Sequence, residues 1–427
     1  MALILFASFF ALLVIGMPVA FALALAVWAA VGLGSSYPQI VIVKEMFSGL
    51  DSFPLMAVPF FILAAELMTS GAMTQILLRF ASQFVGHFRG GLGYANVVSS
   101  TMFAGISGSA LADAAGPGAM MIRMMEKDGY DKSYASALTA SASVVGPIIP
   151  PSIIMILYAM QDERVSVIAL FMAGIVPGIL ISAAMAATNW YVCRRRGFKS
   201  STPRPPLREM VRTSLQALPA IMLIVLIIGG IRSGMFTPTE ASVVAVFYAL
   251  LCGLFVYRSL HLKDLPDIIF RSALVTATIL LILAAARAFA WIIIIEGIPQ
   301  TIAAAIVSWN LSPILFLLAI NVLLLVFGLF LDPLPGVMIL VPILSPIAYS
   351  LGIDPIHFAI VVIVNLTIGL LTPPVGALLF VVSSAVKIRV GDMIREMPPF
   401  LIVHLLVLMA LTFIPALSTW LPGLSGY

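Results

Sequence analysis

An all-α polytopic membrane protein, folded as an inverted-topology repeat, is the class this sequence predicts. Three observations lead there. First, 62% of the 427 residues are hydrophobic and 9% are charged, against about 25% charged in a soluble domain. The mean hydropathy is +1.16. Second, apolar runs of the roughly 20 residues needed for a spanning helix recur along the whole chain, with none of the short alternating strands of a membrane barrel. Third, two of these runs are broken alike, by Gly146-Pro147-Ile148-Ile149-Pro150-Pro151-Ser152-Ile153 and by Gly369-Leu370-Leu371-Thr372-Pro373-Pro374-Val375-Gly376.

The elements follow in order. Residues 1–192 form a first repeat. Its opening run, Ala2 to Leu33, lacks a basic leader and is too long for a signal peptide, so it reads as one retained span. Residues 92–122 are flanked by His87 and Arg89 on one side and by Arg123, Lys127 and Lys132 on the other. Basic flanks mark the cytoplasmic side, so this segment enters and leaves on one side as a re-entrant hairpin. Ser107-Gly108-Ser109 supplies its tip. A broken helix over 133–160 then runs from Lys132 inside to Asp162 and Glu163 outside.

Residues 193–213 form a cytoplasmic connector. It holds Arg194, Arg195, Arg196, Lys199, Arg204, Arg208 and Arg212 against Glu209 alone, with Pro203, Pro205 and Pro206. A nucleic-acid patch is a poor reading beside two membrane spans. The second repeat covers 214–427. Its hairpin spans 312–350, and no Lys or Arg occurs from Leu311 to Val386. Its broken helix, 355–386, ends at Lys387 and Arg389 inside, so this hairpin enters from outside.

The halves share a fixed offset. Gly105 and Gly328, Gly146 and Gly369, Pro150 and Pro373, and Pro151 and Pro374 all differ by 223 positions. Opposite direction at equal spacing is an inverted-topology repeat.

Proline lacks an N–H and clashes with the carbonyl four residues back. Pro150 and Pro373 should therefore free the carbonyls of Gly146 and Gly369, and Pro151 and Pro374 those of Pro147 and Leu370. Irregular backbone at membrane depth survives only where it lines a cavity or lies within protein. Freed carbonyls are hard ligands suited to a small cation, although a lone proline such as Pro18 or Pro177 more often makes a packing kink. Asp113 in the first hairpin adds a carboxylate, which costs about 2.5–3.5 kcal/mol at the bilayer centre unless a cation offsets it.

Other residues carry two readings each. Asp332 before Pro333 suits an ion site or a helix N-cap, and the roles are compatible. Asn365 contacts substrate or another helix. Arg287 binds an anion, snorkels, or pairs with a carbonyl. Glu66 reads as interfacial, and Thr237-Pro238-Thr239-Glu240 as a capping box. The histidines His87, His261, His357 and His404 are scattered without metal spacing. Two cysteines, Cys193 and Cys252, make no disulfide framework.

GMPVAFAL, GISGSALADAAGPG, GPIIPPSI, GIVPG, SGMFTPTEA, GIPQ and LTPPVG together resemble the large membrane subunit of TRAP transporters, the DctM-like family, over nearly the whole chain. The resemblance implies a multi-pass protein of the bacterial inner membrane. It implies Na⁺-driven secondary uptake of an organic anion, such as a C4-dicarboxylate or sugar acid. It also implies a soluble periplasmic substrate-binding protein and a small four-helix membrane subunit as partners, and an elevator-type fold. By the same resemblance one Na⁺ lies at Ser107, Ser109, Asp113, Gly146 and Ile149, and a second at Gly328, Gly369, Thr372 and Val375. Position assigns Ser109, Ser152, Asp332 and Asn365 to the substrate. No cofactor is implied beyond the coupling ion.

A stand-alone Na⁺/carboxylate symporter would share the hairpins but need no binding protein. A channel suits matched hairpins less well, because discontinuous helices favour occlusion. An enzyme would need a catalytic cluster that these isolated histidines do not offer.

Overall fold

The computed structural model describes residues 1–35, 37–70, 72–198, 205–308, 312–424 and 426. Every regular element among them is helical. Six helices are long and apolar enough to cross a membrane, or up to eight if each of two bent pairs is one span.

The opening run is not one span. It forms α1 (Ala2–Val14) and α2 (Val19–Gly34), separated by Gly16 at φ +88° and by Pro18 at the N-cap of α2. The chain doubles back, so that Gly34 lies against Met1 and Ile4. Pro18 therefore ends a helix instead of kinking it. Hydropathy missed the turn because every residue around it is apolar. Next, α3 (Ile40–Leu50) meets the segment carrying α4 (Ala57–Thr69) at a bend of 65°, and α5 (Met73–Val85) follows. Glu66 on α4 pairs with Arg271 at 3.4 Å on the exposed side.

The first hairpin comprises α6 (Gly91–Ser107), α7 (Ala110–Asp113), a π turn and α8 (Ala119–Lys127). Its arms meet near the base, where Asn96 Nδ2 donates to Met125 Sδ at 3.5 Å. The first broken helix is α9 (Lys132–Ser143) and α10 (Ile153–Gln161). Asp131 starts α9 by accepting from the Ser133 and Tyr134 amides. The long α11 (Val167–Arg196) leads to the connector, of which Lys199, Pro203 and Arg204 lie outside the described residues.

The second half begins with α12 (Leu207–Arg232) and α13 (Pro238–Leu251). The expected capping box opens α13: the Glu240 amide donates to Thr237 Oγ1 at 3.3 Å, and the Thr237 amide to Glu240 Oε2 at 2.8 Å. After α14 (Leu265–Ile295) and α15 (Ile298–Ser308) comes the second hairpin, α16 (Pro313–Phe330) and α17 (Pro333–Ser350). The second broken helix is α18 (Pro355–Gly369) and α19 (Ala377–Val386), and α20 (Val390–Glu396), α21 (Pro398–Phe413) and α22 (Ala416–Leu424) complete the chain.

Packing inverts the two halves. In the first broken helix, α9 packs on the first hairpin and α10 on the second hairpin's α17. In the second, α18 packs on the second hairpin and α19 on the first hairpin's α8. The two broken helices thus run in opposite directions between the hairpins. Side chains tie the far ends. Arg123 of α8 donates to the Ala385 carbonyl of α19 at 3.4 Å. Gln161 of α10 donates to Met338 Sδ of α17 at 3.0 Å, and the Tyr349 hydroxyl donates to Asp162 beside it.

Candidate ion and substrate site

Each hairpin tip ends against a break. In the first, Gly108 closes α6 with φ +60°, a left-handed angle that favours glycine. A Cβ there would stand 2.6 Å from the Pro151 carbonyl oxygen, so the tip touches the break backbone to backbone. Ser109 then caps α7, accepting weakly from the Ala112 amide at 3.4 Å.

Asp113 lies just inside this tip, 2% exposed. Its Oδ1 accepts from the Ser107 hydroxyl at 2.6 Å, and that hydroxyl accepts from the Ser109 amide at 3.2 Å. Its Oδ2 is buried with no hydrogen-bond partner. Facing it is Gly146, where a Cβ would stand 3.0 Å from Oδ2 and 2.9 Å from the Ala110 nitrogen. Four of the five residues assigned to the first Na⁺, namely Ser107, Ser109, Asp113 and Gly146, therefore meet. Ile149 lies one turn beyond Gly146, its side chain seated against Gly178 of α11. Among the described residues no Lys or Arg comes within ion-pair distance of Asp113. A buried carboxylate without a basic partner, beside an open carbonyl, is a donor set that fits a small cation.

The freed carbonyls need correcting. Only Gly146 behaves as expected, its carbonyl accepting no protein hydrogen bond among the described residues. The Pro147 carbonyl is taken by the Ser152 hydroxyl at 2.5 Å. The Leu370 carbonyl accepts from the Leu378 amide at 3.1 Å, and the Gly369 carbonyl from the Thr372 amide at 3.0 Å. Proline removes the partner four residues on, but a partner three residues on, or a side chain, can replace it.

The second site is built from backbone. A Cβ on Gly369 would stand 2.6 Å from the Gly328 Cα, so the two glycines allow α16 and α18 to touch. Thr372 Oγ1 donates to the Ile368 carbonyl at 3.0 Å. The Gly328 and Val375 carbonyls accept no protein hydrogen bond among the described residues. Gly328 lies in the last turn of α16, where the helix dipole favours a cation.

The residues assigned to substrate divide. Ser109 and Asp332 are partly exposed at the tips. Asp332 also caps α17, accepting from the Leu334 amide at 3.0 Å. Ser152 is fully buried, bridging the break and capping α10 through the Met155 amide at 3.3 Å. Asn365 is fully buried and donates to Asn321 Oδ1 at 2.7 Å, which makes a helix contact.

Sequence reasoning passed over two asparagines. Asn96 of α6 donates to Thr139 of α9 at 2.6 Å, and Asn321 of α16 donates to Thr412 of α21 at 2.8 Å while accepting from Asn365. Each ties a hairpin arm to its own broken helix. The signal was available: each is a lone Asn in an apolar helix, and their separation (321 − 96 = 225) is close to the repeat offset.

Comparisons with known proteins show the family. The family model described as "Tripartite ATP-independent periplasmic transporter, DctM component" matches residues 6–417. The chain is 41% identical to the C4-dicarboxylate TRAP transporter large permease protein DctM of Pseudomonas aeruginosa, over 90% of this chain and 89% of that protein. It is 38% identical to the sialic acid TRAP transporter large permease protein SiaM of Vibrio cholerae, over 97% and 96%. In fold it is similar to the YdaH transporter of Alcanivorax borkumensis, with a TM-score of 0.53 and 15% identity over 89% and 87% of the two chains. The chain is an inner-membrane transporter permease, not an enzyme, and belongs to the DctM family, the large membrane component of tripartite ATP-independent periplasmic transporters.

Proposed function

We propose that the chain carries an organic anion into the cell, coupled to Na⁺, with a small four-helix membrane subunit and a periplasmic substrate-binding protein. The substrate class is a carboxylate, such as a C4-dicarboxylate or a sugar acid. One observation carries the ion coupling. Asp113 Oδ2 is buried, unpartnered and set against Gly146, whose carbonyl is itself unengaged. A cation bound there satisfies both oxygens and neutralises the charge. The backbone site at Gly328, Gly369, Thr372 and Val375 takes a second Na⁺.

Na⁺ and substrate then raise each other's affinity, as linkage requires. Ser109 and Asp332, partly exposed at the two tips, face the substrate. Ser152 and Asn365 hold the shape of the site from within. The hairpins and broken helices move together past the rest of the chain as an elevator.

Uptake in proteoliposomes tests this. The chain would be reconstituted with the small subunit and binding protein, and supplied with labelled acids. Uptake should require an inward Na⁺ gradient and the binding protein. Equal uptake with choline replacing Na⁺ at fixed pH contradicts the coupling. Full uptake without the binding protein supports a stand-alone Na⁺/carboxylate symporter instead.

A further inference from the structure

A groove of about 700 Å³ opens between α5 and the first half of α12, closed on a further side by Val256 and Tyr257. Arg79 reaches it from α5, and Arg208 and Arg212 from α12. Their setting is unfavourable without an anion. Arg208 and Arg212 are four residues apart on one helix face, where like charges repel. Both stand near the positive end of the α12 dipole. The one acid of that turn, Glu209, does not line the groove; it accepts from Gln83 Nε2 of α5 at 3.3 Å, a contact between the same two helices. Among the described residues no carboxylate lies within ion-pair distance of any of the three guanidinium groups.

Between and beyond the arginines the groove walls are apolar, at Ile76, Val211 and Leu215. Val211 is 51% and Leu215 63% exposed. Cations and aliphatics alternate along α12 as Arg208, Val211, Arg212 and Leu215, so charge and apolar wall stand side by side as one amphipathic molecule requires. Guanidinium forks bind phosphate in a bidentate way. The connector leading into α12 carries the basic excess of a cytoplasmic loop, which puts the arginines at inner-leaflet headgroup depth.

We infer that this groove holds an anionic phospholipid of the inner leaflet, its phosphate on Arg79, Arg208 and Arg212 and its acyl chains along Val211 and Leu215. The lipid braces α5 against α12.

Delipidated full-length chain in neutral detergent tests the inference. The unfolding midpoint would be followed while adding phosphatidylglycerol, phosphatidylcholine or inorganic phosphate. Phosphatidylglycerol should raise it at a concentration at least threefold lower than phosphatidylcholine, and phosphate should leave it unchanged. Native mass spectrometry of the same chain should retain phosphatidylglycerol in preference to phosphatidylcholine. The triple variant Arg79→Gln, Arg208→Gln and Arg212→Gln should respond to both lipids alike. Arg395→Gln, which removes an exposed basic residue of α20 away from the groove, should keep the preference. Equal responses in the wild type overturn the proposal, as does a preference that survives in the triple variant. An equal shift from phosphate alone means a soluble-anion site and also overturns it. So does loss of the lipid response on adding the small membrane subunit, which would assign the groove to that subunit. If the triple variant does not fold, the wild-type mass spectra still decide.

Discussion

The two breaks share a sequence pattern but differ in construction. Break one, Val144 to Ser152, is buried throughout except for half-exposed Ile149. Ser152 ties it across its width to the Pro147 carbonyl. Break two, Leu370 to Gly376, leaves Pro374 and Val375 exposed, and Gly376 starts α19 with no side-chain cap. The tips differ too. The first turns its carboxylate, Asp113, onto the break with one oxygen unpartnered, whereas the second keeps its carboxylate, Asp332, on the amide of Leu334 as the cap of α17. A charged ligand in a low-dielectric setting must be sealed and paired, whereas neutral carbonyls tolerate solvent. On the proposed reading, the matched halves divide the work, with one site fixed by charge and the other left open.

The largest effect should come from that charge. Asp113→Asn keeps the shape and removes the cation's partner. Hydrogen-bonded charge interactions contribute about 1.5–3 kcal/mol, and each 1.4 kcal/mol is about tenfold. The Na⁺ concentration for half-maximal uptake should rise on the order of 10- to 100-fold, measured in proteoliposomes after confirming folded protein by gel filtration. An unchanged Na⁺ curve would remove Asp113 from the site.

The next test separates two glycines that the repeat matches. Gly328 touches Gly369, but Gly105 faces the Ile224 side chain, with a Cβ 3.1 Å from Cδ1. Backbone cannot yield, and overpacking costs about 1–3 kcal/mol. Gly328→Ala, whose Cβ would meet the Gly369 Cα at 3.0 Å, should cut uptake by roughly tenfold, while Gly105→Ala should stay within about twofold because an isoleucine can change rotamer. Similar losses in both would mean that the repeat sets function at these positions despite the different contacts.

Smaller effects follow from the prolines. Alanine restores an N–H and lets the helix re-form, capturing the unengaged Gly146 carbonyl in break one and moving the Gly369 carbonyl off the Thr372 amide in break two. Ser152 and burial still hold break one, so Pro373→Ala should slow uptake more than Pro150→Ala. The reverse order would place the more labile break in the first half. Smallest of all, Ser152→Ala should lower stability by about 0.5–2 kcal/mol through the lost cap, read as a drop in the thermal midpoint, with the Na⁺ curve little changed.

Much of this was legible in the sequence because the signals were local. Proline positions placed both breaks: helices end at Ser143 and Gly369 and restart at Ile153 and Ala377. Thr237 and Glu240 announced their capping box. What stayed hidden depended on distant partners. Nothing near Gly369 says that its carbonyl is retaken by Thr372, or near Pro147 that Ser152 reaches back to it. The turn at Gly16 to Pro18 was masked because both arms are equally apolar. Gly105 and Gly328 matched in spacing, yet spacing does not show that one faces a side chain and the other a backbone.

The claim underneath all of these comparisons is that the hairpins enter from opposite faces onto antiparallel breaks. It is tested most directly by which side reaches their bases. Native Cys193 and Cys252, both buried, would be replaced by Ser. Single cysteines would then go at Lys127 and Ser350, the exposed final residues of α8 and α17. A membrane-impermeant thiol reagent outside intact cells should label position 350 readily and position 127 poorly, and inverted vesicles should reverse that order. Labelling of both from outside at similar rates would contradict the inverted arrangement, and with it the pairing of a sealed, charged site with an open, backbone one.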